Sequence, residues 1–334
     1  MITEPTLFIL GAGASAPYGF PTAEGLRNQI LTRPEHDLLG VAAGLDKFVD
    51  ENVTSNFIET FQRADSYIDH FISRSKRKQF KRLGKISIAL KILAAEEKHR
   101  DSRDTNYDGD WVRYLYHEHM VKGFTTSELP PVSENKIKFI TFNYDRLLEY
   151  YLYIVSVFGF DSSHYTELIA ELEKIGIIHV YGSLGPLAWQ GRNRGSAPPY
   201  DLKSTLYGYR RAPVDYQYMA NNIEVMHESR DNQEEMKEKI QRMIDWASRI
   251  FFLGFSYDPE NMKNIGFPYT DHDVPVAKIY GTTKGLGESF RSGLREQYFP
   301  THIEPKYSSQ EIESREANLF LEPVDSRILL EKYL

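Results

Sequence analysis

The sequence contains no cysteine, and this absence excludes two kinds of structure. No disulfide framework can form, and no metal site can use thiolate ligands. Long hydrophobic runs are also missing, since no stretch approaches the ~20 apolar residues of a membrane span. A strand-like segment starts close to the first residue with no secretory leader before it, so we expect a soluble, cytoplasmic protein without a membrane partner.

Charge of one sign is not concentrated anywhere along the 334 residues, whose net charge is -7. The densest basic cluster is the short run RSKRK at 74–78. An acidic chain lacks the broad attractive field that nucleic acids require, so we expect this run to be a solvated helix face and no direct nucleic-acid binding. Hydrophobic residues make up 41% of the chain, enough for one large domain or two.

The stretch TLFILGAGASAPYGFPT at 6–22 organises the chain. A short apolar run is followed by a loop of small residues and then by a helix start near Thr22. This arrangement lets backbone N–H groups approach a pyrophosphate, and a side chain at Gly11 or Gly13 would obstruct the approach. The loop lacks the Gly-Lys-Ser/Thr of a nucleoside triphosphate hydrolase. A tight turn under a sheet is the alternative.

Hydrophobic patterning predicts strands alternating with helices. The strands are predicted at 7–10, 136–141, 175–181, 249–253 and 277–280, with a short packing element at 316–321. Helices are predicted at 22–33, two or three within 55–97, and others at 111–121, 145–158, 217–248, 259–265 and 285–297. A long loop without a clear period covers 185–209, and such loops are often functional.

This alternation predicts an α/β fold, a Rossmann-like, doubly wound, mainly parallel sheet covered on both faces. We expect residues 1–54 and 130–290 to form the nucleotide-binding domain and residues 55–125 to form a helical insertion or cap. Residues 291–334 are expected to be a C-terminal packing or interaction segment. Ligands of such sheets bind at the carboxyl ends of the strands.

Three further motifs lie at predicted strand ends, namely ITFNYDRLLE at 140–149, HVYGSLG at 179–185 and IFFLGFSYD at 250–258. With the first motif, and in this order, they resemble the sirtuin-like superfamily. The resemblance is strongest to bacterial sirtuin-like NAD hydrolases of anti-phage defence, including those encoded beside a HerA-type ATPase. Protein-deacylating sirtuins carry a four-cysteine zinc ribbon, which this chain cannot build.

The resemblance implies an enzyme that cleaves NAD, its substrate, to nicotinamide and ADP-ribose during abortive infection. It also implies control through a homo-oligomer or a partner such as a HerA-type ATPase. A non-catalytic module that senses NAD or ADP-ribose and gates a partner is the alternative, and an NAD-dependent protein deacylase is a more distant one.

Three residues are predicted to carry the chemistry. The Asn143 carboxamide can fix a ribose hydroxyl and a water together, as the matching asparagine does in sirtuins, and its alternative is a helix N-cap. His179 and Tyr181 are expected on one strand face, roughly 6–7 Å apart. In sirtuins a histidine stands at the place of Tyr181, so we predict His179 as the base and Tyr181 as a ribose contact. A core histidine is the alternative for His179.

The remaining predicted contacts are to the phosphates, the riboses or the nicotinamide. They are Gly11, Ala12, Gly13, Ser15, Pro21, Thr22, Arg27, Asp145, Gly182, Ser183, Gly254, Ser256 and Asn261. For Arg27 the alternative is surface pairing. For Asp145 the alternative is a helix cap or a role in orienting the loop. For the segment that starts at Gly254 the alternative is a strand-to-helix turn. No metal site is expected, because the histidines are scattered.

Overall fold

A six-stranded, all-parallel sheet forms the centre of the protein. The computed structural model describes residues 1–32, 51–101, 109–190, 208, 213–224, 230–267, 277–298 and 318–334. The strands are β1 (Thr6–Leu10), β2 (Ile137–Thr141), β3 (Gly176–His179), β4 (Arg249–Leu253), β5 (Lys278–Thr282) and β6 (Leu319–Glu322). Their spatial order is β3-β2-β1-β4-β5-β6, which confirms the predicted α/β, Rossmann-like fold.

Helices flank the sheet and connect its parallel strands. They are α1 (Ala12–Ser15), α2 (Ala23–Thr32), α3 (Glu51–Arg63), α4 (Ile68–Arg74), α5 (Lys78–Asp101), α6 (Trp111–Tyr114), α7 (Leu147–Gly159), α8 (Tyr165–Leu172), α9 (Pro213–Asn222), α10 (Arg230–Trp246), α11 (Pro259–Asn264), α12 (Glu288–Tyr298) and α13 (Ser326–Tyr333). A π-helical turn, Leu115–Met120, extends α6. None of these helices combines the length and the apolar character needed to cross a lipid bilayer.

Strand β1 is buried along its whole length because it lies between β2 and β4. Phe8 pairs in register with Phe139 of β2 and Phe251 of β4, at ring-centroid distances of 5.1 and 5.4 Å. A parallel strand with both faces covered needs an unbroken apolar sequence, and the run LFIL supplies one. The carboxyl ends of these three strands are thereby fixed side by side.

The two faces of the sheet carry separate hydrophobic cores. Leu7 and Ile9 face a core that contains the buried side chains of α3, α4 and most of α5. Phe8 and Leu10 face a second core, which contains α7 and the segment from Trp111 to Met120. The segment predicted as a helix at 111–121 therefore packs on the opposite face of the sheet from α3 and α4. Its position follows from tertiary contacts, such as the Trp111 Nε1–H that donates to the Ala14 carbonyl at 2.8 Å.

Two boundaries at the sheet edges differ from the prediction. The short packing element expected at 316–321 is strand β6, where Phe320 stacks on Tyr280 of β5 at 5.1 Å. Strand β3 ends at His179, two residues earlier than predicted, and a turn follows it. The long predicted loop at 185–209 lies outside the described residues from 191 onward, apart from Gly208, and the predicted domain division stays a prediction.

Candidate functional site

The loops that follow β1, β2, β3 and β4 meet at the carboxyl edge of the sheet. In the order β3-β2-β1-β4-β5-β6, the direction of the winding reverses between β1 and β4. Open α/β sheets bind ligands in the crevice at this reversal point. The four motifs singled out in the sequence therefore contribute to one region, which we call the rim.

The glycines of the first motif allow the β1 loop to contact the β4 loop. The Gly11 N–H donates to the Leu253 carbonyl at 3.0 Å, and the Gly13 N–H donates to the Gly254 carbonyl at 2.9 Å. A Cβ atom at Gly11 or Gly13 would lie 2.6 or 2.8 Å from the Gly254 carbonyl oxygen. These glycines are thus required by a backbone contact within the protein. The predicted reason was different, namely that a side chain at either glycine would obstruct the approach of the loop N–H groups to a pyrophosphate.

Asn143 joins the β2 loop to the β1 loop. Its buried Nδ2 donates to the Gly11 carbonyl at 3.1 Å and to Ser15 Oγ at 3.0 Å. The alternative of a helix cap does not hold for Asn143, because the Leu147 N–H at the start of α7 is bonded by Asp145 Oδ1 at 3.2 Å. The carboxamide therefore fixes two loops that are 132 residues apart in the chain.

Asp145 is buried beside Ser15, whose hydroxyl is hydrogen-bonded to its carboxylate. Since Ser15 Oγ accepts a hydrogen bond from Asn143 Nδ2, the Ser15 hydroxyl can donate to Asp145. Burial raises the pKa of Asp145 to about 7, and the negative charge of Glu96 acts in the same direction. The bonds from Leu147 and Ser15 and the charge of His179 oppose this rise without cancelling it.

Both ring nitrogens of His179 contact protein groups. Nδ1 lies 2.9 Å from the Asn143 carbonyl oxygen, and Nε2 lies 2.6 Å from Glu149 Oε1. A carbonyl only accepts, so Nδ1 carries a proton. Burial alone lowers the pKa of His179, but the charge and hydrogen bond of Glu149 outweigh it, and the pKa is raised. Glu149, which is buried, and His179, which is half-buried, therefore form an ion pair. This pairing does not favour the predicted role of His179 as a base.

A second ion pair, which is fully buried, stabilises the loop that follows β2. Arg146 and Glu96 have side chains that are 1% and 0% exposed, with Nη2–Oε2 at 2.5 Å and Nε–Oε1 at 3.0 Å. Glu96 also accepts the backbone N–H groups of Arg146 and Gly208. Helix α5 is thus anchored at the rim, close to the residues that follow β2.

Tyr181 points away from His179, contrary to the shared strand face predicted for them. The reason is that β3 ends at His179, so the alternation of side chains stops there. The Tyr181 hydroxyl donates to Asn261 Oδ1 at 2.6 Å and accepts from Asn264 Nδ2 at 3.0 Å. Burial raises its pKa well above the ordinary value, with smaller contributions from the charges of neighbouring carboxylates. Tyr181 and Asn261 are therefore in direct contact, and their hydrogen bond links the β3 loop to α11.

The β1 loop continues into α2, where two predicted contacts have local partners. Thr22 is exposed, and its Oγ1 accepts the Gly25 N–H at 3.2 Å. The Arg27 guanidinium donates to the carbonyls of Gln62, Ala64 and Ser66 at 3.0–3.2 Å. These bonds cap the end of α3, so the phosphate role predicted for Arg27 is not supported, and its side chain binds within the protein instead.

The other predicted contacts lie at or near the rim surface. Gly182 has φ +67°, and a Cβ there would lie 1.9 Å from the Asn222 carbonyl oxygen. The half-buried Ser183 accepts the Gly185 N–H through Oγ at 3.2 Å. Ser256 is exposed, whereas Ala12 and Pro21 are half-buried. Among the residues described, no three His, Asp or Glu side chains are placed to hold a metal ion.

Glu149, Glu96 and Arg146 were missed by reasoning from the sequence. Glu149 carried a usable signal, because it is the one charged residue between 147 and 160 in an otherwise apolar helix. A charge in such a helix must find a partner when it is buried. Glu96 carried no signal, since it lies among other charged residues. The sequence matches no protein-family model and no curated protein, so the sirtuin-like resemblance rests on the quoted motifs alone.

Proposed function

We propose that the rim binds NAD and that this protein cleaves NAD to nicotinamide and ADP-ribose. The observation that carries the proposal is the direct bonding of the four motif loops. Asn143 bonds to Gly11 and Ser15, His179 bonds to the Asn143 carbonyl, and Gly13 bonds to Gly254. Loops that meet at the reversal point of such a sheet can contact one extended dinucleotide together.

The chemistry requires positioning more than acid catalysis. Nicotinamide leaves as a neutral molecule from a cationic pyridinium, so the protein must hold the dinucleotide, stabilise an oxocarbenium-like ribose and direct a water to it. Ser256 is exposed and Ser183 and Ala12 are half-buried, so these residues lie at the accessible side of the rim. Asn143 is buried and joins the β1 and β2 loops through its carboxamide.

The test is the release of nicotinamide from NAD by the purified protein, alone and with the product of its neighbouring gene. Asn143→Ala is expected to abolish release. Asn135→Ala is a matched control, because Asn135 is also buried and joins segments through its carboxamide, before β2 at the opposite sheet edge. Equal release by wild type and Asn143→Ala, or none by wild type under either condition, would contradict the proposal.

The wider role follows from the resemblance and is part of the same proposal. Depletion of NAD kills a cell, so we expect the activity to be silent until phage infection and to be controlled by a homo-oligomer or by a HerA-type ATPase. A second function, a sensor that binds NAD or ADP-ribose without chemistry, is favoured by the occupied nitrogens of His179. Calorimetric binding of NAD that is recovered intact would favour the sensor.

A further inference from the structure

A group of basic side chains lies where α4 ends and α5 begins. The run predicted as a helix face at 74–78 spans the end of α4, a short linker and the first residue of α5. From residue 70 to residue 95 the sequence has eight Lys or Arg residues and no Asp or Glu. The rest of the chain is therefore more acidic than the net charge of -7 indicates. We define the basic patch by five of these residues, Arg74, Lys76, Arg77, Lys78 and Lys81.

The charges of the basic patch oppose the dipole of α5. The N-terminus of a helix carries a partial positive charge, so acidic side chains stabilise its first turn and cations destabilise it. Helices α3 and α12 follow this rule with Glu51 and Glu288. The first turn of α5 has no acidic residue and contains Lys78 and Lys81. The repulsion at this helix end would be relieved by a bound anion.

The cations of the basic patch are accessible and largely unpaired. Four of the five side chains are exposed, and that of Lys81 is half-buried. Within the part of the chain that the structure describes, only Arg77 has a partner, since its Nη1 donates to Asn56 Oδ1 at 3.4 Å. The Arg77 guanidinium also lies over the Phe80 ring at 4.8 Å, and Phe80 packs on Phe57 of α3 at 5.5 Å. These contacts orient the junction of the two helices in advance of any binding.

We propose that the basic patch docks an acidic segment of a partner protein. This inference concerns binding alone and does not depend on the cleavage of NAD. Clustered cations recognise acidic motifs through charge-assisted hydrogen bonds to carboxylates. A short acidic segment can neutralise the patch while it contacts little else of an acidic protein. A nucleic-acid duplex carries negative charge along its whole length, so the surrounding acidic surface would repel it.

A second copy of this chain fits the basic patch less well than a different protein does. Several exposed acidic residues on its helices already have a cation one turn away. These ion pairs are Glu59–Arg63 at 3.7 Å, Glu235–Lys239 at 2.7 Å and Glu238–Arg242 at 3.4 Å. Their carboxylates would have to exchange one cation for another, which gives little net attraction. The partner is therefore expected to present carboxylates that lack cations of their own.

Fluorescence anisotropy of the full chain with a labelled peptide of about ten residues, rich in Glu and Asp, measures the docking. The patch variant combines four substitutions, Arg74→Gln, Lys76→Gln, Lys78→Gln and Lys81→Gln. The matched control removes the same charge at exposed lysines elsewhere, with Lys122→Gln, Lys174→Gln, Lys237→Gln and Lys239→Gln. We expect the patch variant to bind the peptide at least about 10-fold more weakly than wild type, and the control to bind like wild type.

Urea unfolding of the same proteins gives a second readout. Because the cations oppose the dipole of α5, the patch variant should unfold at a higher urea concentration than wild type, whereas the control should not. A midpoint below that of the control would refute the argument from the dipole, and it would also reveal a patch variant that fails to fold.

Three binding results would overturn the inference. The first is an equal loss of peptide affinity in the patch variant and the control, which would make the attraction nonspecific. The second is tighter binding of a DNA duplex or of anionic lipid vesicles than of the peptide. The third is a wild-type dimer that the patch variant dissociates in sedimentation, which would assign the basic patch to a second copy. Since none of these measurements uses NAD turnover, a failure of the proposed function leaves them unaffected.

Discussion

Replacing Asp145 by Asn should make the protein more stable at neutral and alkaline pH. Asp145 keeps its proton in the folded state up to about pH 7, whereas an exposed aspartate loses it near 3.8. Between these values the folded state binds more protons than the unfolded state, so the free energy of unfolding falls as the pH rises. The interval corresponds to about 4 kcal/mol, an upper bound for the whole effect.

Urea unfolding of wild type and Asp145→Asn at a series of pH values from about 5 to about 8 measures this difference. The variant should gain on wild type from about pH 5 to about pH 7 and hold this gain at higher pH, because Asn keeps an oxygen for the Leu147 N–H and never ionises. Asp161→Asn is the matched control, since the exposed Asp161 also accepts a backbone N–H, from Ser163 at 2.8 Å. A wild-type protein that equals or exceeds Asp145→Asn in stability at the alkaline end would refute the reasoning about buried Asp145.

Four further outcomes are expected from unfolding and binding measurements. Arg146→Met should lower the free energy of unfolding by about 3–5 kcal/mol, because it leaves Glu96 charged and buried, and Glu96→Gln with Arg146→Met should recover part of this loss. Gly254→Ala should cost at least about 2 kcal/mol, because φ is +55° and its Cβ would lie 1.9 Å from the Ala14 nitrogen, whereas Gly287→Ala meets no atom within 4 Å and should be neutral. Burial lowers the pKa of His99 to about 4, so wild type should lose up to about 3 kcal/mol as the pH falls from about 6.5 to about 4, and His99→Phe should lose less over that interval. Arg27→Met should cost about 1 kcal/mol through the end of α3 without changing the Kd for NAD, and a large fall in NAD affinity would restore a phosphate role for Arg27.

The sheet was predictable from the sequence because its central strands have a simple pattern. The runs at Leu7 to Leu10 and Ile250 to Leu253 are apolar on both faces, as a covered parallel strand requires. The position of the motif loops at one edge followed from the parallel arrangement itself. Strand β6 was not predicted as a strand, because its sequence is short. The contact that stabilises it, the stacking of Phe320 on Tyr280, is made with another strand.

The orientation of the site residues could not be predicted in the same way. His179 and Tyr181 would share a strand face only if β3 continued to Tyr181, but the strand ends two residues before it, at His179. The partners of Asn143 and Arg27 lie 132 and up to 39 residues away in sequence, so neither hydrogen-bonding pattern is visible locally. Residue type identified the groups that can do chemistry, while tertiary contacts decide which of them are free to do it.

Hydrogen exchange of the whole protein with and without NAD tests most directly whether the four loops bind one dinucleotide. We predict that NAD slows exchange together in the peptides that cover residues 11–22, 141–146, 179–185 and 253–261, while the distant α13 is unchanged. Protection confined to one of these loops, or found only away from the carboxyl edge of the sheet, would contradict the account.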